Sequence, residues 1–318
     1  MIRAAVMASF TSLAAPVAAG DFYLSFPVDC TLGTDCFIQQ YVDRDAGPDA
    51  TDFNCGPLSY DGHTGTDFAL YNNAAITQGV SVLAAAGGVV TGLRDGEPDT
   101  GVAGLTSGKE CGNGVAIDHG DGWSTQYCHL KSGSIQVAPN EVVEAGAVLG
   151  KIGLSGQTEF PHVHVSLRRN GTVVDPFAPA SETGCSSKMP ASLWDNPIPY
   201  QPGGILTLAL FDTVPSFDAV KAGTVATLSP DTATPALVLY THMFGTRAGD
   251  TLSFRMTYLG EVVFADTAIL DRTQARSFRA FGRRKPDGGW PQGTYTGSAV
   301  LSRDGTVISE GTIAFDVQ

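Results

Sequence analysis

Charged residues are scarce in this chain, and basic side chains are scarcer than acidic ones. Only 16% of its 318 residues are charged, and 19 basic against 32 acidic side chains give a net charge of −13. This acidity disfavours nucleic acids and anionic membrane surfaces as partners, because both would repel the chain. A hydrophobic share of 43% nevertheless indicates a globular protein rather than a disordered one.

Several signatures of common enzyme classes are also missing. The sequence has no His-Glu-x-x-His pattern, no Gly-x-Ser-x-Gly nucleophile turn and no phosphate-cradling loop. Beyond the N-terminal segment, no run approaches the roughly 20 apolar residues that a membrane-spanning helix needs. We therefore predict no membrane span in the mature chain, and a serine hydrolase finds no support.

The first residues have the layout of a cleavable secretory signal. Arg3 supplies a positive charge, and small apolar residues continue from it to Val17-Ala18-Ala19. A buried N-terminal helix is the alternative, but Pro16 and the lack of helical periodicity disfavour it. We expect cleavage near Ala19 and export of the mature chain, as a periplasmic or secreted protein.

The six cysteines predict three disulfides. An even number of cysteines in an exported chain is typical of bridges rather than of free thiols. Many pairings are formally possible, but sequence position ranks them. Cys111 and Cys128 flank the hairpin turn Gly120-Asp121-Gly122 at nearly equal distances, so a bridge across the two strands is within reach. Cys30 and Cys36 can close a small local loop, which leaves Cys55 with Cys185.

Short apolar runs separated by turn residues predict an all-β protein. The 38 glycines agree with many turns, and between residues 52 and 176 the pattern favours antiparallel sheets forming a sandwich or barrel-like hybrid. Prolines and glycines between 190 and 204 would interrupt both a helix and the hydrogen-bond ladder of a β-sheet, so this segment is predicted to be a linker. Beyond it, period-two runs such as 251–258 and 294–301 predict seven to eight strands of an immunoglobulin-like β-sandwich.

Five of the six histidines lie between His63 and His164, in two informative patterns. In Gly62-His63-Thr64-Gly65-Thr66-Asp67, an imidazole and a carboxylate are four residues apart, and the surrounding glycines and threonines predict a turn that enters a strand. In Pro161-His162-Val163-His164-Val165, the valines predict a strand. His162 and His164 would then share one face of it.

Zinc (Zn2+) accounts for both patterns. A catalytic zinc site takes three protein ligands of nitrogen or oxygen type and keeps a fourth position for water, which the metal activates to attack an amide carbonyl. His63, Asp67 and one of the two strand histidines supply such a set. A nearby free imidazole would orient the water or stabilise the charged intermediate. His129 fits this role, on the strand face predicted to carry Tyr127.

Taken in order, His-x3-Asp, Tyr-x-His and His-x-His resemble the lysostaphin-like (LytM-type) family of zinc endopeptidases, which cut bacterial cell-wall peptides. The likeness covers roughly residues 55–178 and includes Gly112-Asn113-Gly114. It implies a compact antiparallel β-sandwich with the metal in a groove. It also implies that three residues bind Zn2+ and that two histidines assist the chemistry: His63, Asp67 and His164 as ligands, His129 and His162 as catalytic residues.

Two departures from the family pattern point to a changed site. The segment 158–161 replaces the small, glycine-rich residues that often precede the last motif, and Ser166-Leu167 replaces a frequent acidic residue after it. These changes predict an altered groove wall, or altered contacts behind the ligands. They concern substrate preference rather than metal binding.

The sequence thus predicts an exported zinc metalloendopeptidase that hydrolyses peptide cross-links of peptidoglycan, with stem or cross-link peptides as partners. The alternatives are a non-catalytic wall-binding module that activates an amidase, for which lost ligands would be the hallmark, and a protease of Gly-rich proteins. The predicted organisation has five parts: a signal peptide at 1–19, an N-terminal arm at 20–54, the zinc peptidase domain at 55–189, a Pro-rich linker at 190–204 and the immunoglobulin-like domain at 205–318.

Overall fold

A computed structural model of the chain describes residues 22–180, 184–185 and 191–318. The predicted signal peptide and the predicted boundary at 189–190 lie outside these ranges. Helix is limited, within the described ranges, to three short elements: α1 (Ala75–Gln78), a 3-10 helix (Gly101–Gly104) and α2 (Phe217–Ala222). None of these helices is long and apolar enough to cross a membrane. The remaining regular structure is β-strand, which confirms the all-β class.

Ten strands form the first part of the fold, and eight of them make one antiparallel sheet. Its order is β1-β2-β9-β6-β5-β4-β7, with β10 paired to β9, while β3 and β8 form a separate pair. The ten strands are β1 (Cys36–Gln40), β2 (Thr66–Leu70), β3 (Ser81–Leu83), β4 (Gly88–Arg94), β5 (Asn113–Gly120), β6 (Trp123–Leu130), β7 (Val142–Val143), β8 (Val148–Lys151), β9 (His162–Arg169) and β10 (Thr172–Val173).

The β5–β6 hairpin and the disulfides follow the sequence-based expectation. Gly120 pairs with Trp123, and the two residues between them, Asp121 and Gly122, have φ values of 50° and 78°. Two left-handed residues in a two-residue loop are what a type I′ hairpin turn requires. The three predicted bridges are all present: Cys30–Cys36, Cys55–Cys185 and Cys111–Cys128.

Seven further strands form two antiparallel sheets around a second core. One sheet has the order β11-β12-β15 and the other β14-β13-β16-β17. Side chains of both sheets meet in one buried cluster that includes Leu239, Phe254 and Tyr295. These strands are β11 (Gly204–Phe211), β12 (Ala236–Thr246), β13 (Thr251–Tyr258), β14 (Glu261–Ile269), β15 (Gln274–Arg284), β16 (Gly293–Arg303) and β17 (Thr306–Val317).

The count of seven strands agrees with the period-two pattern of the sequence. In a constant-type immunoglobulin domain the fourth strand pairs with the fifth, whereas here β14 pairs with β13. The immunoglobulin-like assignment and the domain boundaries therefore stay predictions.

The second pair of sheets packs on the first part of the fold, since the ring of Phe244 lies 4.5 Å from that of Phe37.

Candidate metal centre

Strand register brings the two sequence motifs together. Asp67 on β2 is directly opposite His164 on β9, and His164 is opposite Cys128 on β6. Residues that are directly opposite in an antiparallel pair project to the same face. Val163 and Val165 project to the other face and are buried in the core. Alternation in β9 thus leaves the two histidines of the strand on the face that carries Asp67.

Three side chains converge closely enough to bind one ion. His63 Nε2 lies 3.1 Å from both Asp67 Oδ1 and His164 Nδ1, and these last two atoms are 2.8 Å apart. Tetrahedral zinc with bonds near 2.1 Å holds its ligand atoms about 3.4 Å apart, so the observed spacing is close to that of a zinc site. Converging electron pairs also repel one another unless a cation or proton lies between them.

Hydrogen bonds behind the two candidate ligand histidines favour the tautomers that a metal site needs. His63 Nδ1 donates to the carbonyl oxygen of Tyr41 at 2.6 Å, so Nε2 keeps its lone pair for a metal. His164 Nε2 lies 3.0 Å from Ser166 Oγ, a hydroxyl that can accept its N–H, and in that tautomer the lone pair of Nδ1 faces Asp67 and His63. Contacts of this kind fix the tautomer and ring orientation of zinc-binding histidines. The residues present therefore fit zinc.

His129 and His162 lie beside this cluster without sharing its closest contacts. Their ring centroids are 4.7 Å apart, and His162 Nε2 is 3.5 Å from Asp67 Oδ1. His129 Nδ1 donates to the carbonyl oxygen of Ser155 at 2.8 Å, and His162 Nδ1 donates to that of Phe160 at 2.9 Å. In each ring Nε2 therefore points away from the carbonyl group and has a lone pair that can accept a proton.

The backbone of His129 explains how this side chain reaches the cleft, and it corrects one expectation. The sequence predicts that Tyr127 and His129 share a strand face, but Tyr127 is in the core, where its hydroxyl accepts a bond from Ala85 N. His129 has φ = 65°, so regular alternation is broken at this residue. The left-handed turn redirects the imidazole towards His162. Such a conformation is unfavourable for a non-glycine residue and is often found at functional sites.

Burial and the surrounding charges set the protonation of the cluster. Burial by itself would raise the pKa of Asp67, yet His63 and His162 outweigh it and hold this pKa well below its ordinary value. Burial lowers the pKa of His129 to about 3, with His162 and His164 acting in the same direction. Burial also lowers the pKa of His162. At neutral pH the site therefore contains a carboxylate at Asp67 and neutral imidazoles at His129 and His162.

The groups that contact the candidate ligands from behind could not be identified from the sequence. The carbonyl oxygens of Tyr41 and Ser155 leave no signal in the sequence, because every residue has a carbonyl oxygen. Tyr60 was also missed: its ring lies 4.5 Å from that of His63, about half of its surface is exposed, and burial of the rest raises its pKa to about 12. The departure at Ser166 did hint at a change behind His164.

Gly65 provides a direct test of how tightly the cluster is packed. A Cβ atom on this residue would lie 2.6 Å from His164 Nε2 and 2.7 Å from the carbonyl oxygen of Val165. Because the strand backbone cannot give way easily, Gly65→Ala should displace the imidazole from Ser166. We expect zinc affinity to fall about 10- to 100-fold, the range for lost support behind a ligand.

Competition with a fluorescent chelator would measure this change in zinc affinity. Gly62→Ala is not a suitable control, since Gly62 has φ = 74°. Gly92→Ala is better, because Gly92 is in the same sheet and a Cβ there meets no atom within 4 Å. Unchanged zinc affinity in Gly65→Ala would show that the packing around His164 is looser than these distances indicate.

Comparison with known proteins gives a consistent assignment. Residues 61–176 match the model of peptidase family M23. A DD-carboxypeptidase/endopeptidase, Mpg, from Neisseria meningitidis is 36% identical over 123 residues, which cover 38% of this chain and only 23% of that relative.

Solved structures of peptidases are among those that match part of the chain. A zinc-containing peptidase from Vibrio cholerae is 23% identical with a TM-score of 0.34, over 48% of this chain and 39% of that one. The catalytic domain of lysostaphin from Staphylococcus simulans is 24% identical with a TM-score of 0.28, over 43% and 85%. The family match and the Neisseria relative confirm the resemblance drawn from the motifs: residues 61–176 form a domain of peptidase family M23.

Proposed function

We propose that this chain is an exported zinc metalloendopeptidase that hydrolyses peptide cross-links of peptidoglycan. The observation that carries the proposal is the convergence of His63, Asp67 and His164 on one point, with the free nitrogens of His129 and His162 beside it. The Neisseria relative, named a DD-carboxypeptidase/endopeptidase, supports a peptidase. Three disulfides support export, because such bridges persist in oxidising compartments.

The proposed chemistry divides the work between the ligands and the assisting histidines. His63, Asp67 and His164 would hold Zn2+, which when bound supplies a Lewis acid that lowers the pKa of water and polarises a carbonyl. The neutral imidazoles of His129 and His162 can accept the proton of the attacking water at Nε2, since their Nδ1–H groups are held by backbone carbonyls. The resulting imidazolium would stabilise negative charge on the carbonyl oxygen and return its proton to the leaving amine.

The complete ligand set argues for the catalytic function over the activator alternative. A module that only stimulates an amidase has no need to keep a carboxylate and two imidazoles buried together, because burying such groups costs free energy. Here His63 and Asp67 are each 2% exposed. Nothing in the site specifically favours Gly-rich proteins as substrates.

Cross-linked muropeptides, analysed by mass spectrometry, would test the proposed function. We expect cleavage of the peptide cross-links, loss of cleavage after treatment with a chelator, and recovery when zinc is added back. Stimulation of a wall amidase without cleavage would support the activator instead. Attack on a Gly-rich protein alone would support the third alternative, and either of these results would overturn the proposal.

A further inference from the structure

A cavity of about 650 Å³ opens where β15 and α2 of the second pair of sheets meet the loops of the peptidase domain. Its volume is typical of small-ligand pockets, which span about 300–1,000 Å³. The wall is mixed in character, with apolar side chains on the peptidase side and charged ones from both parts. Among the residues lining it are Val102, Leu154, Glu159, Phe160, Lys221 and Arg276.

This cavity directly adjoins the candidate site. Two of the residues that line it, Thr158 and Phe160, contact His162: Thr158 Oγ1 is 3.1 Å from His162 Nδ1, and the ring of Phe160 lies 4.6 Å from the imidazole. A peptide bound across the cleft would therefore pass from the cluster of His63, Asp67 and His164 over His162 into the cavity. The segment 158–161, which departs from the family pattern, forms the boundary between the two.

Arg276 brings a positive charge into this wall from the other part of the fold. Its guanidinium lies over the ring of Phe160 at 4.6 Å and over that of Phe37 at 5.3 Å. Its hydrogen bonds go to neutral acceptors: Gln39 Oε1 and the carbonyl oxygens of Leu70 and Tyr71. These contacts use three of its five N–H groups, so donors are left for another partner.

Arg276 has no carboxylate partner in the described part of the chain. No acidic oxygen there lies within ion-pair distance of Arg276, and burial lowers the pKa of the guanidinium to about 9 with no carboxylate opposing the effect. Arg276 is half-buried, so its charge is partly removed from water without a counter-charge, and a ligand anion would offset that cost.

The other charges of the cavity do not fill this role. Lys221 is already paired with Asp218 at 2.9 Å. Glu159 lines the cavity as well, but it is exposed, so solvent and salt screen its repulsion of an anion. Arg276 is therefore the cation best placed to bind an anionic group that enters the cavity.

We propose that this cavity is a substrate subsite in which Arg276 binds a carboxylate of the peptide, either a free C terminus or an acidic side chain. Two contacts of 4.6 Å each separate the guanidinium from the His162 ring. An extended peptide advances about 3.3 Å per residue, so the carboxylate would lie within about three residues of the bond that is cut. This inference deepens the proposed function and rests on it for the identity of the ligand as a substrate.

Binding to chelator-treated protein tests the subsite separately from catalysis. Calorimetry would compare two pairs of peptides. The first pair is acetylated tetra-alanine as the free acid and as its C-terminal amide. The second pair is two C-terminal amides of the same length that carry either Glu or Gln as the third residue. We expect the acid of at least one pair to bind about 10-fold or more tightly than its neutral partner, the effect of a charge-assisted hydrogen bond. A preference within the first pair identifies the C terminus as the ligand group, and one within the second pair identifies a side chain.

Two variants assign the preference to Arg276. Arg276→Gln should remove the preference for a carboxylate. Gln274→Glu should remove it too, because residues two apart on β15 share a face and the new carboxylate would form an ion pair with the guanidinium of Arg276. The second variant keeps every contact of Arg276, so it is informative even if the first fails to fold. Arg284→Gln is the matched control: it makes the same change at an exposed position of the same strand and should keep the preference.

The results separate the two proposals. Equal binding of acids and amides by the unchanged protein, or a preference that survives both Arg276→Gln and Gln274→Glu, would overturn the subsite. Cleavage of muropeptides could still occur in that case, and the proposed function would stand. Conversely, a carboxylate preference that depends on Arg276, in a protein that cleaves no peptide when loaded with zinc, would support the subsite and overturn the peptidase.

Discussion

Asp67→Ala is expected to abolish both zinc retention and peptide hydrolysis. The carboxylate Oδ1 lies 3.1 Å from His63 Nε2, 2.8 Å from His164 Nδ1 and 3.5 Å from His162 Nε2, so it is the shared anionic partner of three imidazoles. Its removal leaves only neutral nitrogen donors for a divalent cation. A Lewis acid is worth several kcal/mol in the transition state, and each 1.36 kcal/mol is tenfold in rate, so turnover should fall by about 10³-fold or more.

Metal content per chain after dialysis, measured by atomic spectroscopy, would check the loss of zinc, and mass spectrometry would check the loss of cleavage. Asp118→Ala is a matched control, because Asp118 is exposed on β5 of the same sheet and, among the described residues, its carboxylate accepts a hydrogen bond from Gly120 N alone. That variant should keep zinc and activity. One zinc per chain with full turnover in Asp67→Ala would contradict the assigned ligand set.

Much of this site follows from period-two alternation, which is why its centre could be predicted from sequence. The valines of Pro161–Val165 identify a strand, and a strand places His162 and His164 on one face whatever the rest of the chain does. The glycines around His63 likewise identify a turn rather than a helix. The structure adds the register that sets Asp67 against His164, which depends on pairing between strands almost 100 residues apart.

The unpredicted parts of the site have physical causes that local sequence does not record. His129 reaches the cleft through a left-handed backbone, which nothing in Tyr127-Cys128-His129 signals, since glycine or asparagine would be the usual residue there. The acceptors for His63 and His129 are main-chain oxygens. Arg276 meets Phe160 only because the two sets of strands pack together.

His129→Ala should have a different outcome, with zinc retained and turnover sharply reduced. The His129 ring lies 6.2 Å from that of His164 and forms no hydrogen bond to His63 or Asp67, so its loss leaves the three ligands and the groups behind them in place. What disappears is a neutral imidazole that can take up a proton in the cleft, a contribution typically worth about 10²- to 10⁴-fold. The loss should be seen in kcat, with the zinc content and KM little changed.

The matched control is His119→Ala, which removes an imidazole from the far end of the same hairpin. His119 bonds to the carbonyl oxygen of Gly87 and to Thr125 Oγ1, and neither group contacts the metal cluster. Zinc content and kcat should therefore stay near those of the unchanged protein. If His129→Ala lost zinc as completely as Asp67→Ala, His129 would act as a ligand or as structural support. If kcat stayed within a few fold, proton transfer would have to depend on His162, whose Nε2 lies closer to Asp67.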